Sequence, residues 1–104
     1  MSDVIEKEYL IYKVSSKSNV PKLTGALYKS ILEGNEIELQ AVGAGAVNQS
    51  VKALASVREK LCRKGIDFLV LPFFRDIPNF DENNKDTISA IVLKIIKMGD
   101  NQNG

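Results

Sequence analysis

The sequence predicts an α+β fold, a two-layer sandwich in which one mixed four-stranded sheet carries both helices on a single face, with elements in the order β-α-β-α-β-β. Three observations predict it. Runs rich in β-branched and alternating apolar residues are twice followed by segments whose apolar residues recur every three or four positions, the mark of strand followed by helix. The last two strand-like runs are joined by a polar loop alone, which makes them a hairpin. Two successive right-handed crossovers set the first three strands parallel, keep both helices on the same side and leave the other sheet face uncovered.

The first strand is Tyr9 to Val14 (YLIYKV), rich in aromatic and β-branched residues. Ser15-Ser16-Lys17-Ser18-Asn19 breaks it, with Ser18 or Asn19 as the expected N-cap and Pro21 where a first-turn proline is tolerated. The helix that follows puts Val20, Leu23, Leu27 and Ile31 on one face, and Gly34-Asn35 ends it. The organising stretch is Glu36 to Lys64. Ile37, Leu39 and Ala41 alternate with polar neighbours. Past Gly43-Ala44-Gly45 the spacing of Val47, Val51, Leu54, Val57 and Leu61 defines the expected buried face of the second helix, with Gly65 as a left-handed cap.

The third strand is expected over Ile66 to Phe74 (IDFLVLPFF), where Pro72 removes a ladder donor and so suits a sheet edge. A polar loop, Asp76 to Asp86, leads to the fourth strand, Thr87 to Ile96. In that strand Ile91, Leu93 and Ile95 point one way, while Ile88, Ala90, Val92 and Ile96 point the other with only Lys94 among them. A strand wetted on one side alternates more cleanly. Either a twofold partner covers the second set, or neighbouring side-chain stems and the loop shield it.

With 104 residues the chain holds one core, expected over residues 9–97 as a single domain, between a flexible lead of residues 1–8 and a disordered tail of residues 98–104. Its 44% apolar and 26% charged residues exclude a disordered chain. Neither a signal peptide nor a membrane anchor is found in MSDVIEKEYLIY, and the single cysteine, Cys62, forms no internal disulfide. The expected location is therefore cytoplasmic, or nuclear in a eukaryote.

Net charge is only +1, but it is segregated. Tyr9 to Leu32 contains Lys13, Lys17, Lys22 and Lys29 and no acid, and Ala41 to Ile66 contains Lys52, Arg58, Lys60, Arg63 and Lys64 against Glu59 alone. Each stretch carries +4, leaving −7 elsewhere, concentrated in Glu33, Glu36, Glu38 and the run from Asp67 to Asp86. The basic stretches coincide with the helical ones. That pattern makes either one positive side or two ordinarily solvated helices.

Catalytic chemistry has little to work with. Histidine is absent, and one cysteine cannot build a structural zinc site, so neither a metal nor a cofactor is expected and the chain is not expected to be an enzyme. Ser15, Ser16 and Ser18 around Lys17 suit a cap and turn better than a nucleophile pair. Cys62, beside Arg63 on a helix rich in small residues, is expected to be a packed thiol. Gly43-Ala44-Gly45 opens a GxG motif, but Asn48 stands where a third glycine belongs and no Lys-Ser/Thr pair follows, so a nucleotide loop is poorly supported.

What remains is the pair of strand-to-helix turns. Parallel neighbouring strands deliver both to one edge of the sheet. Ser16, Lys17 and Lys22 on the first, and the amides of Gly43, Ala44 and Gly45 with Asn48, Gln49 and Lys52 on the second, suit phosphate contacts more than base reading. The competing account is a solvated loop beside a tightly packed helix start.

Three segments, KVSSKSNVPKLTGAL, LQAVGAGAVNQSVKAL and GIDFLVLPFF, in this order and spacing, resemble the stage V sporulation protein S family, itself similar in fold to the Alba chromatin and RNA-binding proteins. The resemblance covers about Tyr12 to Lys97. It implies sheet order 1-2-4-3, with strand three at an edge and strand four inside. It also implies no enzymatic activity, a regulatory role in sporulation, and, through the Alba likeness, dimers that bind nucleic acid with Lys17 at the position of a backbone-contacting lysine. The chain departs from Alba proteins in its near-neutral charge and in lacking a long basic hairpin between Asp76 and Asp86, which argues against wrapping a duplex. Residues and resemblance together lead to the expectation of a small homodimeric protein that binds DNA or RNA without reading sequence, and not a membrane. The alternative is a regulatory or scaffolding module that binds protein alone.

Overall fold

A computed structural model describes residues 7–79 and 86–98. The expected tail past residue 98, most of the expected lead and the middle of the loop before the fourth strand lie outside the described residues. The elements are β1 (Tyr9–Val14), α1 (Val20–Leu32), β2 (Glu36–Ala41), α2 (Ala44–Cys62), β3 (Phe68–Pro78) and β4 (Thr87–Lys97). The sheet order is β1-β2-β4-β3, with β1 parallel to β2 and both other pairings antiparallel. β3 is therefore an edge strand, where the missing donor of Pro72 is tolerated, and β4 is interior.

Local chemistry sets the helix ends. Asn19, not Ser18, is the cap of α1, its Oδ1 accepting from the Lys22 amide at 2.8 Å, with Pro21 in the first turn. Both helices finish in the same way, on a left-handed glycine. The amides of Gly65 and Ile66 donate to the carbonyls of Cys62 and Leu61, and those of Gly34 and Asn35 to Ile31 and Ser30, which satisfies carbonyls a helix end otherwise leaves free.

The core lies between the sheet and the helix layer. Leu27 and Ile31 of α1 and Ala53, Leu54, Val57 and Leu61 of α2 meet Ile37, Leu39, Leu93 and Ile95 of the central strands. Tyr12 of β1 ties to α1 through a hydrogen bond between its hydroxyl and that of Ser30.

Three expectations need correction. The buried face of α2 is Ala46, Ser50, Ala53, Val57 and Leu61 with Leu54, while Val51 is 51% exposed. Small residues let the helix axis come close to its neighbours, and the buried Ser50 hydroxyl is satisfied by donating to the Ala46 carbonyl at 2.9 Å. Once Val57 and Leu61 face inward, Cys62 lies a further 100° round the helix and is exposed rather than packed. β3 runs four residues past Phe74, to Pro78, and pairs with Thr87 to Ala90 beyond the point where β2 has ended at Ile91. The hairpin is thus longer than expected, and its acidic composition is as the sequence has it.

The face turned away from the helices is ordered in cross-strand rows. Tyr9, Glu36, Ile96 and Leu69 make one, then Ile11, Glu38, Lys94 and Leu71, then Lys13, Gln40, Val92 and Phe73. Val92 and Ala90 are already fully covered within the chain, whereas Tyr9, Ile11, Ile96, Leu69 and Leu71 remain exposed. Shielding by neighbouring side chains thus accounts for part of the apolar pattern of β4, and for Val92 and Ala90 no partner is needed.

Candidate nucleic-acid interface

The parallel register of β1 and β2 pairs Val14 with Ala41, so the two chain reversals leave the sheet level with each other. In the first, Ser15 and Ser18 hold the turn. The Ser18 amide donates to the Ser15 carbonyl, the Ser15 amide to Ser18 Oγ at 2.9 Å, and the Lys17 amide to Ser15 Oγ at 3.1 Å. Ser16 takes part in none of these bonds and is exposed.

In the second reversal Gly43, at φ 91°, adopts a conformation that a side chain would strain, and α2 begins with no side-chain cap. Its first amides are free of a side-chain acceptor and carry the partial positive charge of a helix start. The two turns touch. A Cβ on Gly45 would stand 2.7 Å from the Ser16 Cβ, and Gln49 Nε2 donates to the Ser18 carbonyl at 2.9 Å. Only glycine allows the first contact.

Between the turns lies an open groove of about 530 Å³, with Lys13, Ser16, Gly43 and Gly45 along it and Gln40 and Ile77 contributed by the sheet. Lys17, Lys22, Asn48 and Lys52 are exposed, and none of them lines the groove. Among the described residues the ion pairs include Arg58–Asp67 and Arg75–Glu38, and no described carboxylate pairs with Lys17. Gln49 is committed to stapling the turns.

Lys13 and Ile77 were not among the sequence-derived candidates. Lys13 was legible, since it follows Ile11 and Tyr9 on the open face of β1; Ile77 was not, because Asp76 and Pro78 around it suggest a loop. Arg75 and Glu38 were also missed: they form an ion pair at 2.7 Å, with the carboxylate only 2% exposed and the guanidinium 5.5 Å from the Phe73 ring. The hydrogen bond that Arg75 donates to Glu38 raises its pKa further above an already high ordinary value. Among the described residues no group of three or more acidic, cysteine or histidine side chains is placed to hold a metal ion, and no helix is long and apolar enough to cross a membrane.

A family model, Stage V sporulation protein S (SpoVS), matches residues 10–97, a span that takes in both turns, both helices and nearly all of the sheet.

Proposed function

The chain belongs to the stage V sporulation protein S family, which places it among small sporulation-related proteins, and we propose that it acts there as a non-enzymatic nucleic-acid-binding protein that contacts phosphate backbones as a dimer. One observation carries the reading: the contact of Ser16 with Gly45 puts two strand-to-helix turns side by side, with uncapped amides and the Lys13 amine along one groove and the exposed Lys17 on the first turn beside it. Donors of that kind, with no recognition helix or base-stacking platform among them, favour backbone contacts over sequence reading. Lys22, Asn48 and Lys52 extend the same edge. The dimer is supported by the exposed apolar residues Tyr9, Ile11, Leu69, Leu71 and Ile96 on the uncovered sheet face.

The test is a titration of labelled single- and double-stranded RNA and DNA at about 50 mM and about 200 mM salt. Affinity falls as salt rises, in proportion to the phosphates neutralised, and Lys17→Glu weakens every substrate alike. Absence of binding at the lower salt, or binding unchanged by Lys17→Glu, rules the proposal out. The same apolar sheet face favours a second reading, a regulatory module that binds protein alone. That reading gains if the chain binds no nucleic acid and runs as a monomer.

A further inference from the structure

A second cleft, of about 530 Å³, opens on the helix layer between Gly25 and Tyr28 of α1 and Lys60, Arg63 and Lys64 at the end of α2. Lys60 stands in the last turn of α2, Arg63 is its C-cap residue and Lys64 follows in the turn, so the end of the helix brings three cations to one cleft. No carboxylate lines the cleft, and none pairs with these three cations among the described residues. The nearby acid, Glu59, lines a different hollow with Arg58 and Cys62. Tyr28 packs its ring partly against the core while its hydroxyl has no hydrogen-bond partner among the described residues. At Gly25 a Cβ would meet nothing within 4 Å, which leaves that wall of the cleft open.

A helix end favours basic residues through its dipole. That effect asks only for cations in the last turn; it does not account for a hollow shared with the other helix. Three like charges lining one hollow set up a positive potential that draws an anion in, although each is exposed and partly screened by water. A guanidinium fork, two ammonium groups and a hydroxyl are all donors, matching the several acceptor oxygens of a phosphate group.

We infer that this cleft is a second anion site, taking a phosphate group against Arg63, Lys64 and Lys60 with the Tyr28 hydroxyl as a further donor. Its volume leaves room for the organic part of a phosphate ester beside the phosphate. The phosphate comes from a small monoester or from a nucleic-acid backbone, two sources with the same binding chemistry. The site is independent of the groove between the turns.

The experiment follows backbone amide resonances of the full chain during titration with adenosine monophosphate and, separately, with an oligothymidylate lacking terminal phosphates. Saturable shifts at Gly25, Tyr28, Arg63 and Lys64 are expected with adenosine monophosphate for a monoester site, and with the oligonucleotide for a backbone site. The exposed double variant R63A/K64A weakens that binding about tenfold or more, as loss of two charge-assisted contacts requires. Tyr28→Phe weakens it less. Shifts at the Gly43 and Gly45 amides report the groove between the turns, so failure at the cleft and failure at the turns are read separately. The inference is overturned if neither ligand shifts these resonances, if sodium chloride of equal ionic strength reproduces the shifts, or if R63A/K64A titrates like the parent.

Discussion

Arg75 reaches diagonally over β4 to Glu38. The two residues sit on strands that are not neighbours, Arg75 opposite Ala90 and Glu38 opposite Lys94, yet Arg75 Nη1 lies 2.7 Å from Glu38 Oε1. The guanidinium crosses the row occupied by Val92, which is fully buried although it faces away from the helices. One ion pair therefore covers the centre of a sheet face that has no second layer among the described residues.

Removing only the cation takes away both the partner and the cover of a carboxylate that is 2% exposed with Arg75 in place, which costs more than removing both charges. Arg75→Ala is expected to lower the thermal midpoint on the order of 10 °C, whereas the double variant E38L/R75M recovers most of the loss. Unfolding followed by circular dichroism checks it. Equal losses in both variants would mean that the side-chain stem, not the charge pair, does the covering.

Gly45 is the second residue of α2 and has no positive φ, so helix propensity favours alanine there, by less than the about 1 kcal/mol of a helix interior. The Cβ would nonetheless meet Ser16 at 2.7 Å. Gly45→Ala is expected to destabilise the protein and reduce nucleic-acid binding by pushing the turns apart. In a Ser16→Gly background the same substitution becomes neutral or stabilising. A double-mutant cycle on stability measures the coupling.

Asp67 accepts hydrogen bonds from the Arg58 guanidinium, at 2.7 and 3.0 Å, and from the Phe68 amide at 2.8 Å. These contacts hold its carboxyl at a pKa of about 2, below the ordinary 3.8. A depressed carboxylate pKa stabilises the fold above the unfolded value, and that contribution is lost as pH falls through the folded value. Asp67→Asn is expected to be less stable than the parent at neutral pH, with the difference shrinking from about pH 4 downward and gone near pH 2. The pair is exposed, so added salt narrows the gap as well. Denaturant melts across that pH range are the measurement.

Leu69 and Leu71 are 60% and 53% exposed on the same sheet face as Tyr9, Ile11 and Ile96. If two copies meet there, light scattering of the parent gives twice the chain mass and L69K/L71K gives a monomer that stays folded. A parent that is monomeric at all concentrations removes the dimer from the proposed function.

Much of this was legible from the chain. The alternation in Glu36 to Ala41, the glycine turn after it and Pro72 each carry a local conformational demand, and each was met where expected. The face of α2 was misplaced because valines outrank alanine and serine in an apolar pattern. Close packing selected the small residues Ala46, Ser50 and Ala53 for the inside and left Val51 outside. β3 ran long because its partner, β4, continues to supply backbone hydrogen bonds past Phe74, information that Arg75 to Pro78 do not contain.

For the candidate site the division is the same. The sequence by itself determined that two turns would leave parallel strands at one edge, because backbone periodicity and glycine placement act over a few residues. Only the tertiary structure decided that Ser16 would press on Gly45, that Lys13 rather than Lys22 would line the groove, and that Glu38 would be buried under Arg75. Those contacts join residues far apart along the chain. Their existence depends on strand order and register, which no local preference encodes.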